Sequence, residues 1–136
     1  MKRAICIIAM VALAAGCESF SKGFFAGTGE KEEKVVGKGG QKGPVEVIVH
    51  YADGQPARQM VQVKGTATVL EVTRAVAQVE TEQTPSGEQR VIAIGGDRNG
   101  LRAGRMWVYE LNNLPQLGAP NTRYVQPGDT VRWRYR

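Results

Sequence analysis

Histidine and cysteine are nearly missing from this chain: 136 residues carry one histidine and two cysteines. With His50 alone, no Ser/His/Asp arrangement can be assigned. No Cys/His cluster has the spacing of a structural zinc site. The acidic residues are scattered, and no motif pairs two carboxylates for acid–base work. The glycine-rich Gly95-Gly96-Asp97-Arg98-Asn99-Gly100 lacks the lysine–hydroxyl pair of a phosphate loop. No catalytic residue and no metal ligand is assigned, and a non-enzymatic protein is expected. Long apolar runs are missing too: Ala4 to Leu13 is too short to cross a bilayer comfortably. From Pro44 to Arg136 lysine is rare, with Lys64 alone. That stretch sets eleven cationic side chains against nine acidic ones. A charge so near balance argues against a nucleic-acid partner, despite the basic, aromatic ending Arg132-Trp133-Arg134-Tyr135-Arg136.

What is present begins with an export pattern. Lys2 and Arg3 precede the apolar run, and the small residues Ala14-Ala15-Gly16 follow it. Residues 1–16 are therefore predicted to be a signal peptide. "LAAGC" resembles the lipobox of bacterial lipoproteins, with Ala14 where that family favours leucine. The resemblance implies cleavage before Cys17 and acylation of its sulfur and new amine. It places the protein outside the cytoplasm, lipid-anchored in a cell-envelope membrane, the outer one in a cell with two. Several acyl chains anchor stably at about 0.8 kcal/mol per buried CH₂. Cys6 would leave with the signal, so the mature chain would hold no disulfide. Residues 17–43 mix glycine with charges of both signs and read as a flexible tether.

From residue 44 the pattern becomes that of a folded domain, 44–136. Val45, Val47, Val49 and Tyr51 alternate as in a half-buried strand, with His50 on the other face. Val61 and Val63 mark a second strand, which Gly65 is expected to end. Thr68 followed by Glu71 is a capping box. Val69, Val72, Val76 and Val79 then recur at helical spacing, predicting an amphipathic helix of about three turns. "RVIAIGG", "MWVYELN" and Thr130–Tyr135 are three further strands. The order β-β-α-β-β-β predicts an α+β fold, a mixed sheet of about five strands curled on one helix, which suits a β-grasp. In the last strand Val131, Trp133 and Tyr135 should face the helix with Trp107 and Tyr109. Arg132, Arg134 and Arg136 should then form a row on the open face, meeting Glu46 or Glu110 across the sheet.

"TVLEVTRAV", "VIAIGG", "WVYELNN" and "YVQPGDTVRWRYR", in that order, resemble the transcobalamin C-terminal-like domain family, over residues 44–136. The resemblance implies a β-grasp fold and an exported protein. In the cobalamin carriers of that family the domain forms one side of a corrinoid site facing a helical domain. A corrinoid is thus the cofactor that the resemblance suggests. Two turns depart from the family pattern. Its Ile-Asn-Gly is here Ile94-Gly95-Gly96, and its Asn-Gly is here Asn112-Asn113.

The expected function is a membrane-anchored, non-enzymatic binding or interaction module. The loops around the fourth strand would present Arg98, Arg102, Arg105, Asn112, Asn113 and Arg123. Arginine recognises carboxylates, phosphates and aromatic faces, so an anionic or corrinoid-like small molecule, a glycan or an envelope protein are the candidate partners. Arg132, Arg134 and Arg136 are a candidate docking face. The alternative is a structural or assembly subunit that pairs through a sheet edge.

Overall fold

The computed structural model describes residues 34–100 and 102–136. The predicted signal peptide, Cys17 and the tether up to residue 33 lie outside the described residues. Eleven elements follow in order: β1 (Val35–Val36), β2 (Lys38–His50), β3 (Ala57–Thr68), α1 (Val69–Val76), β4 (Val79–Gln83), β5 (Gln89–Ile94), β6 (Asp97–Arg98), β7 (Trp107–Leu111), β8 (Leu114–Pro115), β9 (Tyr124–Val125) and β10 (Thr130–Tyr135). The main sheet is ordered β1-β3-β2-β10-β7-β8, with β9 added to β3. A second sheet is ordered β4-β5-β6. β10 runs parallel to β2 and antiparallel to β7. This is the mixed α+β sheet with one helix that the element order predicts. Among the described residues no helix is long and apolar enough to cross a membrane.

The core follows the period-two pattern. Val45, Val47 and Val49 of β2, Val61 and Val63 of β3, and Val131, Trp133 and Tyr135 of β10 are buried on one face. Val69, Leu70 and Val72 of α1 pack into the same cluster. Each such buried side chain contributes roughly 1.5–3 kcal/mol. The capping box forms as expected: Glu71 N–H donates to Thr68 Oγ1 at 3.1 Å and Thr68 N–H to Glu71 Oε2 at 2.7 Å. Thr73 is the polar member of the core. Its hydroxyl donates to Val69 C=O at 2.7 Å and accepts the indole N–H of Trp133 at 2.8 Å.

Four expectations need correction. The helix stops at Val76, and Val79 opens β4. Val79 suits both periods, but Val-Glu-Thr-Glu-Gln alternates and is rich in β-branched residues, and β5 offers it a partner. Gly65 does not end the second strand. β3 passes through it at φ 73°, beside the register shift in β2 between Lys38 and Lys42. A Cβ there would sit 1.9 Å from Gly39 C=O, so only glycine fits. The fold begins before residue 44, because β1 and the start of β2 lie in the stretch expected to be tether. Finally, the single sheet of about five strands is two sheets, since β4, β5 and β6 pair apart from the rest.

Candidate functional site

The two sheets part between β5 and β7, and side-chain amides bridge the gap. At one end Asn99 accepts from Trp107 N–H at 2.8 Å and donates to Val91 C=O at 3.0 Å. At the other end Asn121 accepts from Gln89 N–H at 2.9 Å and donates to Gly87 C=O at 3.4 Å. Between these clips lies a cleft of about 310 Å³. Trp107, Tyr109, Val91 and Trp133 wall it, and Glu88, Arg90, Met106 and Leu117 stand at its mouth. Leu117 is fully exposed and Met106 nearly half exposed.

Aromatic packing holds the cleft wall rigid. Trp107 meets Tyr135 at 5.1 Å between ring centroids, and Tyr109 meets Trp133 at 5.0 Å. Tyr51 packs edge-on to Trp107 at 6.0 Å. The Trp107 indole donates to Asp97 C=O at 2.7 Å and the Tyr109 hydroxyl to Gly118 C=O at 2.7 Å. Burial pushes the Tyr109 hydroxyl up from its ordinary value, against the opposing pull of the Arg123 guanidinium. It therefore stays protonated and keeps the Gly118 loop in place. That loop also closes the helix start, since Val69 N–H donates to Arg123 C=O and Leu70 N–H to Pro120 C=O.

The residues singled out in the sequence are spread over the domain rather than gathered. Arg98 is ion-paired to Glu80. Arg102 pairs with Asp53 at 2.8 Å, and that carboxylate raises its pKa further. Arg105 is exposed in the same loop, where its amide donates to Arg102 C=O. Asn112 and Asn113 lie past the far end of β7, which is itself roughly 13 Å long. Both have positive φ, 51° and 66°, as a two-residue hairpin turn requires. Asn112 binds Asp129 and Thr130 N–H, each at 2.9 Å, and Asn113 Oδ1 accepts from Arg132 at 2.9 Å. Gly95 and Gly96 also have positive φ, 59° and 100°. Both turns thus have positive φ at their two central residues. Arg123 alone of the six reaches the loop beside the cleft, at the Tyr109 hydroxyl.

The arginine row lies on the open face, as the alternation predicts. Glu110 is set between Arg132, at 3.4 Å, and Arg134, at 3.3 Å. The Arg134 contact is close but misaligned, and its buried Nε takes no hydrogen bond. Glu46 pairs instead with Arg58, at 3.5 Å. Arg136 is exposed beyond the strand end. Ile48 shares this face and is nonetheless buried. Its cross-strand neighbours in register are Arg58 and Arg132, side chains long enough to cover it. His50 lies in the next row beside Arg134. Burial lowers its pKa, and Arg134, Arg132 and Arg58 lower it further.

No family model matches the chain, and no curated protein matches it. Solved structures share the fold. A "putative metal binding protein" from Ruminococcus gnavus ATCC 29149 superposes with a TM-score of 0.60 at 13% identity, over 69% of this chain and 96% of that one. Haptocorrin, solved in complex with Cbi, superposes with a TM-score of 0.58 at 16% identity. There 70% of this chain matches 25% of the haptocorrin chain. At such identities the likeness is one of fold. Among the described residues no three His, Cys, Asp or Glu side chains are grouped to hold a metal ion.

Proposed function

We propose that this chain is a non-enzymatic binding module of the cell envelope, held at a membrane by lipid on Cys17, and that it takes a small organic ligand into the cleft between β5 and β7. The observation that carries this is the cleft itself. It is at the lower end of the size of small-molecule sites, and it joins an aromatic wall of Trp107, Tyr109 and Trp133 to polar groups, among them Asn99 and Gln116, that could orient a ligand. Exposed Met106 and Leu117 at the mouth supply apolar surface that a ligand would cover. The likeness to haptocorrin, solved with Cbi, supports a binding role, and the sequence resemblance puts corrinoids among the molecules to try. The donor set favours an organic ligand over a metal ion. The lipid anchor and envelope location rest on the amino-terminal pattern ending at Cys17.

Tryptophan fluorescence and native mass spectrometry of the protein, with small molecules from an envelope extract and with corrinoids, test the ligand. Saturable quenching with a retained mass is expected, and Leu117→Glu should weaken it. Binding that is indifferent to that substitution would move the site away from the cleft. Cys17→Ala should release the protein from membranes. Continued membrane attachment would refute the lipid anchor.

A second reading, assembly through a sheet edge, rests on β3. β1 covers it only at Gln62 and Val63, and β9 only at Ala67 and Thr68. Its outer edge from Ala57 to Val61 carries no strand among the described residues, and Met60 is exposed beside it. Mass by light scattering that rises with concentration would favour this reading.

A further inference from the structure

We propose that the cleft takes a short extended peptide, one residue of which pairs with the free edge of β7 beside Val108. The inference deepens the reading of the cleft as a ligand site and rests on it. Met106 and Arg136 exchange two backbone bonds, of 2.7 and 3.0 Å, and Asn112 N–H donates to Thr130 C=O at 2.8 Å. Bonded residues alternate along an antiparallel pair. The even-numbered residues of β7 therefore turn their backbone toward β10, and Trp107, Tyr109 and Leu111 turn theirs outward.

Most of those outward groups are taken. Leu111 pairs with Leu114, Gln116 N–H donates to Tyr109 C=O at 3.0 Å, and Trp107 N–H goes to Asn99. Two are left: Trp107 C=O and Tyr109 N–H, which no other described residue takes up. β8 ends at Pro115, and beyond the Gln116 N–H bond the following loop, which Tyr109 binds at Gly118, adds no further rung. Trp107 and Tyr109 are both buried, and backbone groups in buried strands normally find partners.

An acceptor and a donor flanking one strand residue form half of a β bridge. The complement is an amino-acid unit, with its N–H to Trp107 C=O and its own C=O to Tyr109 N–H. Val108 lines the cleft from the strand between them, so a ligand there reaches this edge. The edge has room for one such pair, because Asn99 closes it at one end and the Gln116 bond at the other. That excludes a long added strand and selects a short peptide or a chain end. Met106 and Leu117 offer apolar surface to its side chain, and Arg90 at the mouth suits a terminal carboxylate.

The test is amide-resolved NMR of the purified protein with N-acetyl-leucine N-methylamide. Its partner is the ester analogue in which oxygen replaces the leucine N–H. Saturable movement of the Tyr109 amide and slower exchange of its proton are expected. The ester should bind about fivefold more weakly, the worth of one net hydrogen bond. A Tyr109 amide unmoved by millimolar peptide, or an ester that binds equally well, overturns the inference. If envelope small molecules still quench the cleft tryptophan while peptides leave Tyr109 unmoved, the peptide inference falls and the ligand site stands. If nothing enters the cleft, both fall.

Discussion

Replacing Asn99 should loosen the seam between the sheets by a calculable amount. Its side chain satisfies two backbone groups of different strands, Trp107 N–H and Val91 C=O. Asn99→Ala strands both. A buried group left without a partner costs about 1–3 kcal/mol, and the neighbouring cleft admits water, so the low end applies to each. The expected loss is about 2 kcal/mol, or roughly 10 °C in Tm for a domain of this size. Asn99→Asp is the sharper probe. Its carboxylate can still accept from Trp107 N–H, but it sets an oxygen where the amide donates to Val91 C=O at 3.0 Å. Repulsion between the oxygens raises the folded-state pKa of the new carboxyl above its unfolded value of about 3.9. The protonated form can donate to Val91 C=O. The restored stability is thus full below about pH 3.9 and is lost as pH rises through the raised folded value. Urea denaturation of wild type and both variants at pH 4 and pH 7 reads this directly. An Asn99→Asp variant whose deficit is the same at both pH values would refute the bridging role.

Two further outcomes follow from the open face. Glu110→Gln removes the one carboxylate between Arg132 and Arg134. The carboxylate is nearly buried but Arg134 is over a third exposed, so the loss should fall between surface and buried pairs, about 1–2 kcal/mol by denaturant titration, and shrink in high salt. His50 has a folded pKa below its ordinary 6.5, through burial and then the arginines. The unfolded chain therefore binds the proton more readily. Stability should be present above pH 6.5 and fall as pH drops through the lowered folded value. Thermal melts of wild type and His50→Gln across pH 5 to 7.5 should diverge toward acid, with the variant the flatter.

Much of the fold could be read from alternation. β10 buries Val131, Trp133 and Tyr135 and turns Arg132 and Arg134 to Glu110, as its pattern says. The capping box located the helix start, because two residues three apart define it. The helix end was ambiguous, because Val79 satisfies both periods and only pairing with Ile94 decides between them. Ile48 was hidden for a related reason: its parity is outward, and the burial comes from neighbours on two other strands. The cleft was the least legible part. Its walls come from separate segments between Thr84 and Trp133. Asn99 looks like any polar loop residue until β5 and β7, which it joins, are in place, and so does Asn121 until the β4–β5 hairpin that it holds is formed. The arginine-bearing loop stands out by charge, whereas the candidate cleft mixes aromatic, aliphatic and polar residues with no single signature.

The place of β10 in the sheet also governs when the fold can form. It is the last of the described strands in sequence, yet it is the one that joins β2 to β7. Its partners on β2, residues 46 to 50, are separated from it by most of the domain. Contacts of such sequence separation make folding slow. Until Thr130–Tyr135 is available, β2 with β3 and β7 with β8 are separate hairpins, and Trp133 is absent from beneath the helix. While the chain is being made, the main sheet therefore stays open until Thr130–Tyr135 has joined it, however early β2, β3 and the helix form.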